Sequence, residues 1–208
     1  MRKTSAIFLA ILVWFAVIAQ FFLMMQNSLA SIPETIVRFF SFFTILTNIL
    51  VALFFTAHSL DATITYKPGN LTAITVYIFI VGTVYQVLLR HLWQPSGFQF
   101  INDELLHTVI PLLTILFWYR YENNAAVKYY QIKSWLFYPL VYLTLVLARG
   151  YFSGFYPYPF VDVTKIGLSK VLLYSGLLFI GFIIIACLFI AIGKGTGGKK
   201  ISTNIACL

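Results

Sequence analysis

Val171-Leu-Leu-Tyr-Ser-Gly-Leu-Leu-Phe-Ile180-Gly-Phe-Ile-Ile-Ile-Ala-Cys-Leu-Phe-Ile190-Ala-Ile192 contains no charged side chain and ends against Gly193 and Lys194. About 20 apolar residues in a helix suffice to cross the hydrocarbon of a bilayer. In lipid every backbone N–H and C=O needs a partner inside the structure, and a helix supplies all of them within one segment. The stretch therefore predicts a transmembrane α-helix. Five more segments of the same character precede it, at 5–25, 37–57, 72–89, 105–119 and 132–148. The expected fold is all-α, an integral membrane bundle of six transmembrane helices within residues 1–192. The glycine- and lysine-rich tail, 193–208, is expected to be flexible.

Composition supports the same class. Of 208 residues, 61% are hydrophobic and 10% charged, whereas soluble domains carry about 25% charged residues. The formal charge of +8 does not mark a nucleic-acid binder, because the 14 Lys and Arg residues sit between or beside the apolar spans. There they set topology. With six spans, nine of them (Arg2, Lys3, Lys67, Arg120, Lys128, Lys133, Lys194, Lys199, Lys200) share the side of the termini, against five (Arg38, Arg90, Arg149, Lys165, Lys170) on the other. That bias places both termini in the cytoplasm. The first span is too long for a secretory signal, and Ala16-Val-Ile-Ala19 makes a poor cleavage site, so it is expected to be retained. Cys187 and Cys207 suit neither a disulfide nor prenylation. No zinc-ligand spacing, phosphate loop or haem-attachment motif is present, and no cofactor is implied. The absence of an internal repeat gives no support to a transporter built from two similar halves.

Two polar interruptions stand out: Arg38-Phe-Phe-Ser41-Phe-Phe-Thr44-Ile-Leu-Thr47-Asn48 in the second span, and Asp103-Glu104-Leu-Leu-His107-Thr108-Val-Ile-Pro111 opening the fourth. Polar side chains within spans usually face the bundle interior and mark sites. Ser41, Thr44, Thr47 and Asn48 are three and four apart, so one helix would carry them as a single stripe. Thr44 lies seven residues into its span and His107 two, a nominal depth difference of about 7–8 Å at 1.5 Å per residue. Asp103 and Glu104 precede His107 by four and three residues, a spacing that lets either orient the imidazole. Pro111 deprives the His107 carbonyl of its intrahelical partner. Arg90, His91, Asn102, Arg149 and Asp162 fall on the same outer side, while the inner half of the bundle is expected to hold little polar matter. Arg38, Arg90 and Arg149 also fit headgroup anchors, and Tyr156, Tyr158 and Phe160 fit an aromatic belt.

A hydroxyl beside an imidazole is the minimum set for nucleophilic acyl transfer. Asn48 and the threonines suit interhelical glue equally well. From the residues alone, an enzyme, a small transporter with an outward-facing polar vestibule and a non-catalytic membrane protein all stay open.

The chain resembles the androgen-induced gene and androgen-dependent tissue-factor-pathway-inhibitor-regulating proteins, together with their bacterial six-span relatives. The resemblance is carried by Phe-Phe-Thr44-Ile-Leu-Thr-Asn, Leu-Leu-His107-Thr-Val-Ile-Pro111, Tyr-Pro-Tyr-Pro159-Phe-Val-Asp162 and, more weakly, Tyr138-Pro139-Leu-Val-Tyr142. It implies an intramembrane hydrolase acting on fatty acid esters of hydroxy fatty acids or similar lipid esters. Thr44 would be the nucleophile and His107 its base, with Thr47 a competing nucleophile one turn on. Asn48, Arg149 or a backbone N–H would stabilise the oxyanion. The partners implied are membrane lipids and a lipid-like ester, and the branch implied is bacterial, in the plasma (inner) membrane.

Overall fold

The computed structural model describes residues 2–205, with side chains as far as residue 195. Among these residues every regular element is helical. Helix α1 (Arg2–Asn27) is followed by the short α2 (Ile32–Phe39) and by α3 (Phe43–Ser59). Helix α4 (Asn70–Val84) passes into a π-turn, Tyr85–Leu89. Helix α5 (Gly97–Glu104), a second π-turn (Leu105–Val109) and α6 (Ile110–Tyr121) join end to end. A short α7 (Ile132–Trp135) leads into α8 (Phe137–Ser153), and α9 (Val163–Ile166) into α10 (Leu168–Ile205). Five stretches are long and apolar enough to cross a membrane: Arg2–Asn27, Asn70–Leu89, Gly97–Tyr121, Tyr129–Ser153 and Leu168–Gly195. A sixth is counted when α2 and α3, bent by 69°, are taken as one broken span. Most of the tail expected at 193–208 lies outside the described side chains, and Cys207 outside the described residues altogether.

Two expected boundaries change. The second span is not one straight helix: Phe42 is extended (φ −83°, ψ 126°) and separates α2 from α3. Tyr142 fixes the break from α8 by donating its hydroxyl proton to the Ser41 carbonyl at 2.9 Å. The fourth span begins at Gly97 rather than at 105. Its first turns carry Gln99, Asn102, Asp103 and Glu104, whose polarity hides a helix from an apolarity count. Asn102, fully buried, donates to Gln20 Oε1 (2.9 Å) and the Ala16 carbonyl (3.2 Å) on α1.

Packing follows small residues. Ala6, Leu9, Ala10, Val13, Ala16 and Val17 recur at helical spacing on one face of α1 and are buried. That face meets Val51, Ala52 and Phe55 of α3 in one core. Small side chains let helix backbones approach closely, which is what joins helices where lipid is as apolar as the core. Helix α4 is the central rod, with every residue from Leu71 to Ile78 buried. At Gly82 a Cβ would lie 2.9 Å from the His107 carbonyl oxygen. The missing side chain thus lets α4 press against the second π-turn.

The ends of α1 and α3 define the two ends of the bundle. Lys3 pairs with Asp61 at 2.6 Å, and Arg2 lies over Tyr66 and Tyr121. Gly193 of α10 packs on Asn124, so both described ends of the chain share this terminal end. The break between α2 and α3 lies at the opposite end.

Glu122, at the terminal end, caps α4 from the C-terminus of the neighbouring α6. One carboxylate oxygen accepts from Thr72 N–H and from the Thr72 hydroxyl, each at 3.0 Å. Trp118 donates to the same hydroxyl oxygen at 3.0 Å. Burial pushes the Glu122 carboxyl above its ordinary value, and the Thr72 hydrogen bonds oppose that shift only in part. The folded state therefore binds this proton more tightly than the unfolded chain. The stability it contributes is complete below the ordinary carboxylate range and is lost as pH rises through the folded value. Thermal melts of detergent-purified protein from pH 4 to 7 should show the wild type losing ground to Glu122→Gln as pH rises. Equal slopes for the two proteins would refute this.

Candidate active site

Thr44 is the second residue of α3, so its N–H has no carbonyl one turn back to bond. That N–H instead donates to the Tyr158 hydroxyl oxygen at 3.3 Å. The Thr44 side chain points across to the second π-turn, where its Oγ1 lies 3.3 Å from His107 Nε2. The two residues assigned nucleophile and base from the sequence are therefore in contact. Their nominal depth difference disappears because the fourth span starts earlier and the second is broken just before Thr44.

The imidazole is held on three sides. His107 Nδ1 lies 2.9 Å from the Asp103 carbonyl oxygen and 3.4 Å from the Asp103 carboxylate. A carbonyl oxygen can only accept, so the proton belongs on Nδ1 and Nε2 is left as an acceptor towards Thr44. Tyr85, from the first π-turn, stacks on the ring with centroids 4.0 Å apart and planes 17° apart. The π-turn itself follows from Pro111. With no N–H at that position the α-helical ladder has a gap, and Ile110 N–H reaches back to the Leu105 carbonyl across a widened turn. Such turns are frequent at functional sites.

The remaining expected residues take separate places. Thr47 is fully buried and bonds the Tyr138 hydroxyl at 3.0 Å, away from His107. Asn48 donates to the Thr44 carbonyl (2.9 Å) and more loosely to the Leu106 carbonyl (3.4 Å), tying α3 to the π-turn. Its amide hydrogens are thus committed. Glu104 pairs with Arg90 and accepts from Thr108 at 2.8 Å instead of meeting the imidazole. Arg149 donates to Glu34 at 2.9 Å, as does Arg38 at 2.7 Å. Both guanidinium groups lie 4.6 Å from the centre of the Phe155 ring. These arginines are bound into ion pairs rather than free anchors.

Three expectations need correction. The single polar stripe is broken, because Ser41 precedes α3 and its hydroxyl caps the Val37 carbonyl at 2.7 Å. Tyr158 is no belt residue: it is 9% exposed and reaches inward to Thr44. The terminal end is also richer in polar groups than expected. It holds Lys3–Asp61–Tyr66, a buried His58 on Thr65 at 2.9 Å, and Glu122–Thr72–Trp118. His58, Asp61, Thr65 and Tyr66 lie within nine residues, whereas Lys3 meets Asp61, and Trp118 and Glu122 meet Thr72, only in space.

Beside Thr44 opens a cavity of about 110 Å³, walled by Ile80 and Val84 of α4, Leu143 of α8 and Phe179 of α10. Thr44 and Tyr158 line it too, with Tyr142 and Ser175 the other hydroxyl-bearing residues of a mostly apolar wall. Chemically, the site offers a hydroxyl, an oriented acceptor nitrogen for its proton, and room for a hydrocarbon chain. No family model, curated protein or solved structure matches the chain.

Proposed function

We propose that this chain is a multi-pass membrane hydrolase that cleaves esters of fatty acids, with Thr44 as nucleophile and His107 as general base. The observation that carries this reading is the 3.3 Å contact between Thr44 Oγ1 and His107 Nε2 at the wall of an apolar cavity. A threonine hydroxyl is a weak nucleophile and needs a base within hydrogen-bond reach. His107 takes the proton as Oγ1 attacks the ester carbonyl. It then returns the proton to the departing alkoxide, leaving an acyl-threonine and a free alcohol. Water, deprotonated by the same imidazole, releases the fatty acid and restores Thr44.

The cavity suits an acyl chain arriving sideways from lipid between α8 and α10, which together supply one wall. Taking α2 and α3 as one span gives six crossings, and the positive-inside bias then puts the termini in the cytoplasm and the Thr44 site towards the outside. The resemblance to the androgen-induced gene family supports the same reading. It extends the substrate to fatty acid esters of hydroxy fatty acids and the location to a bacterial plasma membrane.

The test is labelling of detergent-purified protein with a fluorophosphonate, which captures activated hydroxyl nucleophiles. Wild type and Thr47→Ala should label, whereas Thr44→Ala should not. Labelling that survives in Thr44→Ala, or a well-folded wild type that neither labels nor cleaves fatty acyl esters, would overturn the proposal.

A further inference from the structure

Tyr158 lies 114 residues from Thr44 in sequence, yet its hydroxyl oxygen is 3.3 Å from Thr44 N and 3.5 Å from Thr44 Oγ1. Its ring is fixed rather than free. It stacks on Phe160 with centroids 5.2 Å apart and meets Phe42 edge-on at 5.8 Å. The oxygen accepts the Thr44 N–H, and Thr44 Oγ1 stands from it at the limit of hydrogen bonding. Burial raises the hydroxyl above the ordinary tyrosine value, so the proton stays on at neutral pH.

An ester hydrolase of the kind proposed above must stabilise the negative oxygen that forms when Oγ1 bonds to the carbonyl carbon. In that tetrahedral intermediate the new oxyanion and Oγ1 share one carbon and so lie close together. Useful donors lie about 2.7–3.1 Å from the oxyanion, not from the nucleophile. The Tyr158 hydroxyl, 3.5 Å from Oγ1 on the wall of the cavity, stands where an oxyanion on the same carbon as Oγ1 comes within its reach. Of the other expected donors, Asn48 gives its amide hydrogens to the Thr44 and Leu106 carbonyls, Arg149 pairs with Glu34, and neither lines the cavity beside Thr44.

Resting on the hydrolase reading, we infer that Tyr158 is a catalytic residue whose hydroxyl, together with the backbone N–H of Thr44, forms the oxyanion hole. The carbonyl oxygen of the ester enters between the two groups. As Oγ1 bonds to the carbonyl carbon, the C=O π pair moves onto that oxygen, which receives both hydrogen bonds, and the Thr44 proton passes to His107 Nε2. When the intermediate collapses the pair returns, the ester C–O bond breaks, and His107 protonates the leaving alkoxide. Tyr158 keeps its proton throughout.

The experiment uses the full chain in detergent with 4-nitrophenyl octanoate as substrate and an alkyl trifluoromethyl ketone as oxyanion mimic. Tyr158→Phe keeps the ring and its stacking. It should lower kcat by roughly 10²–10³-fold, the usual effect of removing one oxyanion donor, with KM changed little and inhibition by the ketone weakened in parallel. Difluorotyrosine placed at 158 keeps the shape of the native side chain but ionises at lower pH. It should pull down the alkaline limb of the pH–rate profile, which a purely structural tyrosine would not do. An active wild type whose Tyr158→Phe variant keeps kcat within about two-fold, or whose alkaline limb ignores the fluorination, overturns the inference and leaves Thr44 and His107 standing. A well-folded wild type with no turnover overturns both.

Discussion

His107→Ala is expected to lower the turnover of a fatty acyl ester by roughly 10³-fold, within the 10²–10⁴-fold typical of a positioned acid–base group. The imidazole puts a ring nitrogen in contact with Thr44, and its other nitrogen is committed to Asp103. Without it the Thr44 proton has no acceptor of comparable basicity, since the Tyr158 oxygen nearby belongs to a hydroxyl. The double variant Thr44→Ala/His107→Ala should be scarcely worse than either single one, because residues acting in the same step lose their effect together. Folding should survive: the ring lies between Tyr85 and Thr44, so its removal leaves a space rather than a clash. That space admits free imidazole, and added imidazole should restore part of the rate. Full turnover by a folded His107→Ala protein would remove the base from this mechanism.

How much of this arrangement is legible in the chain depends on the range over which each feature is decided. A transmembrane helix is decided by its own composition, so the helical membrane bundle is readable from stretches such as 171–192. The polar stretches around Thr44 and His107 are readable because polar groups are costly in lipid and few, whereas the choice of these two residues within them rests on the family resemblance. The break at Phe40–Phe42 is not readable, because it contains neither proline nor glycine. It is held by Tyr142 bonding the Ser41 carbonyl from another helix, and by the Phe42 ring against Tyr158 and Phe155. The early start of α5 is hidden for the opposite reason: Gln99, Asn102 and Glu104 find partners on α1 and at Arg90, away from their own helix. Tyr158 is the clearest case. In sequence, Tyr156, Tyr158 and Phe160 look alike as interfacial aromatics, and only the fold of the loop after α8 brings the hydroxyl of one of them to Thr44. Glu34 and Arg149 are 115 residues apart and likewise pair only in space.

That loop is the subject of the second large effect, Gly150→Ala. In an exposed helix the change would favour folding by about 1 kcal/mol through helix propensity. At this position it should do the reverse. A Cβ on Gly150 would stand 1.9 Å from Tyr156 Cε1 and 2.2 Å from its Cζ, far inside contact distance. The ring must move by more than an ångström. It packs with Val146, Tyr158 and Val161, and only Pro157 separates it in sequence from Tyr158. Overpacking of this kind costs about 1–3 kcal/mol, which outweighs the propensity gain and should appear as a fall of several degrees in Tm. The catalytic cost should be larger, since misplacing a reacting group by about 1 Å can cost 10²-fold in rate. Turnover should therefore fall ten-fold or more although Gly150 bonds nothing in the site. Adding Tyr156→Ala removes the obstructing ring, and the double variant should recover stability and rate relative to Gly150→Ala alone. This is non-additivity of the sign expected for two side chains competing for one space. If Gly150→Ala instead keeps wild-type Tm and turnover, Tyr156 is free to swing aside, and the placement of Tyr158 beside Thr44 rests on Phe42 and Phe160 alone.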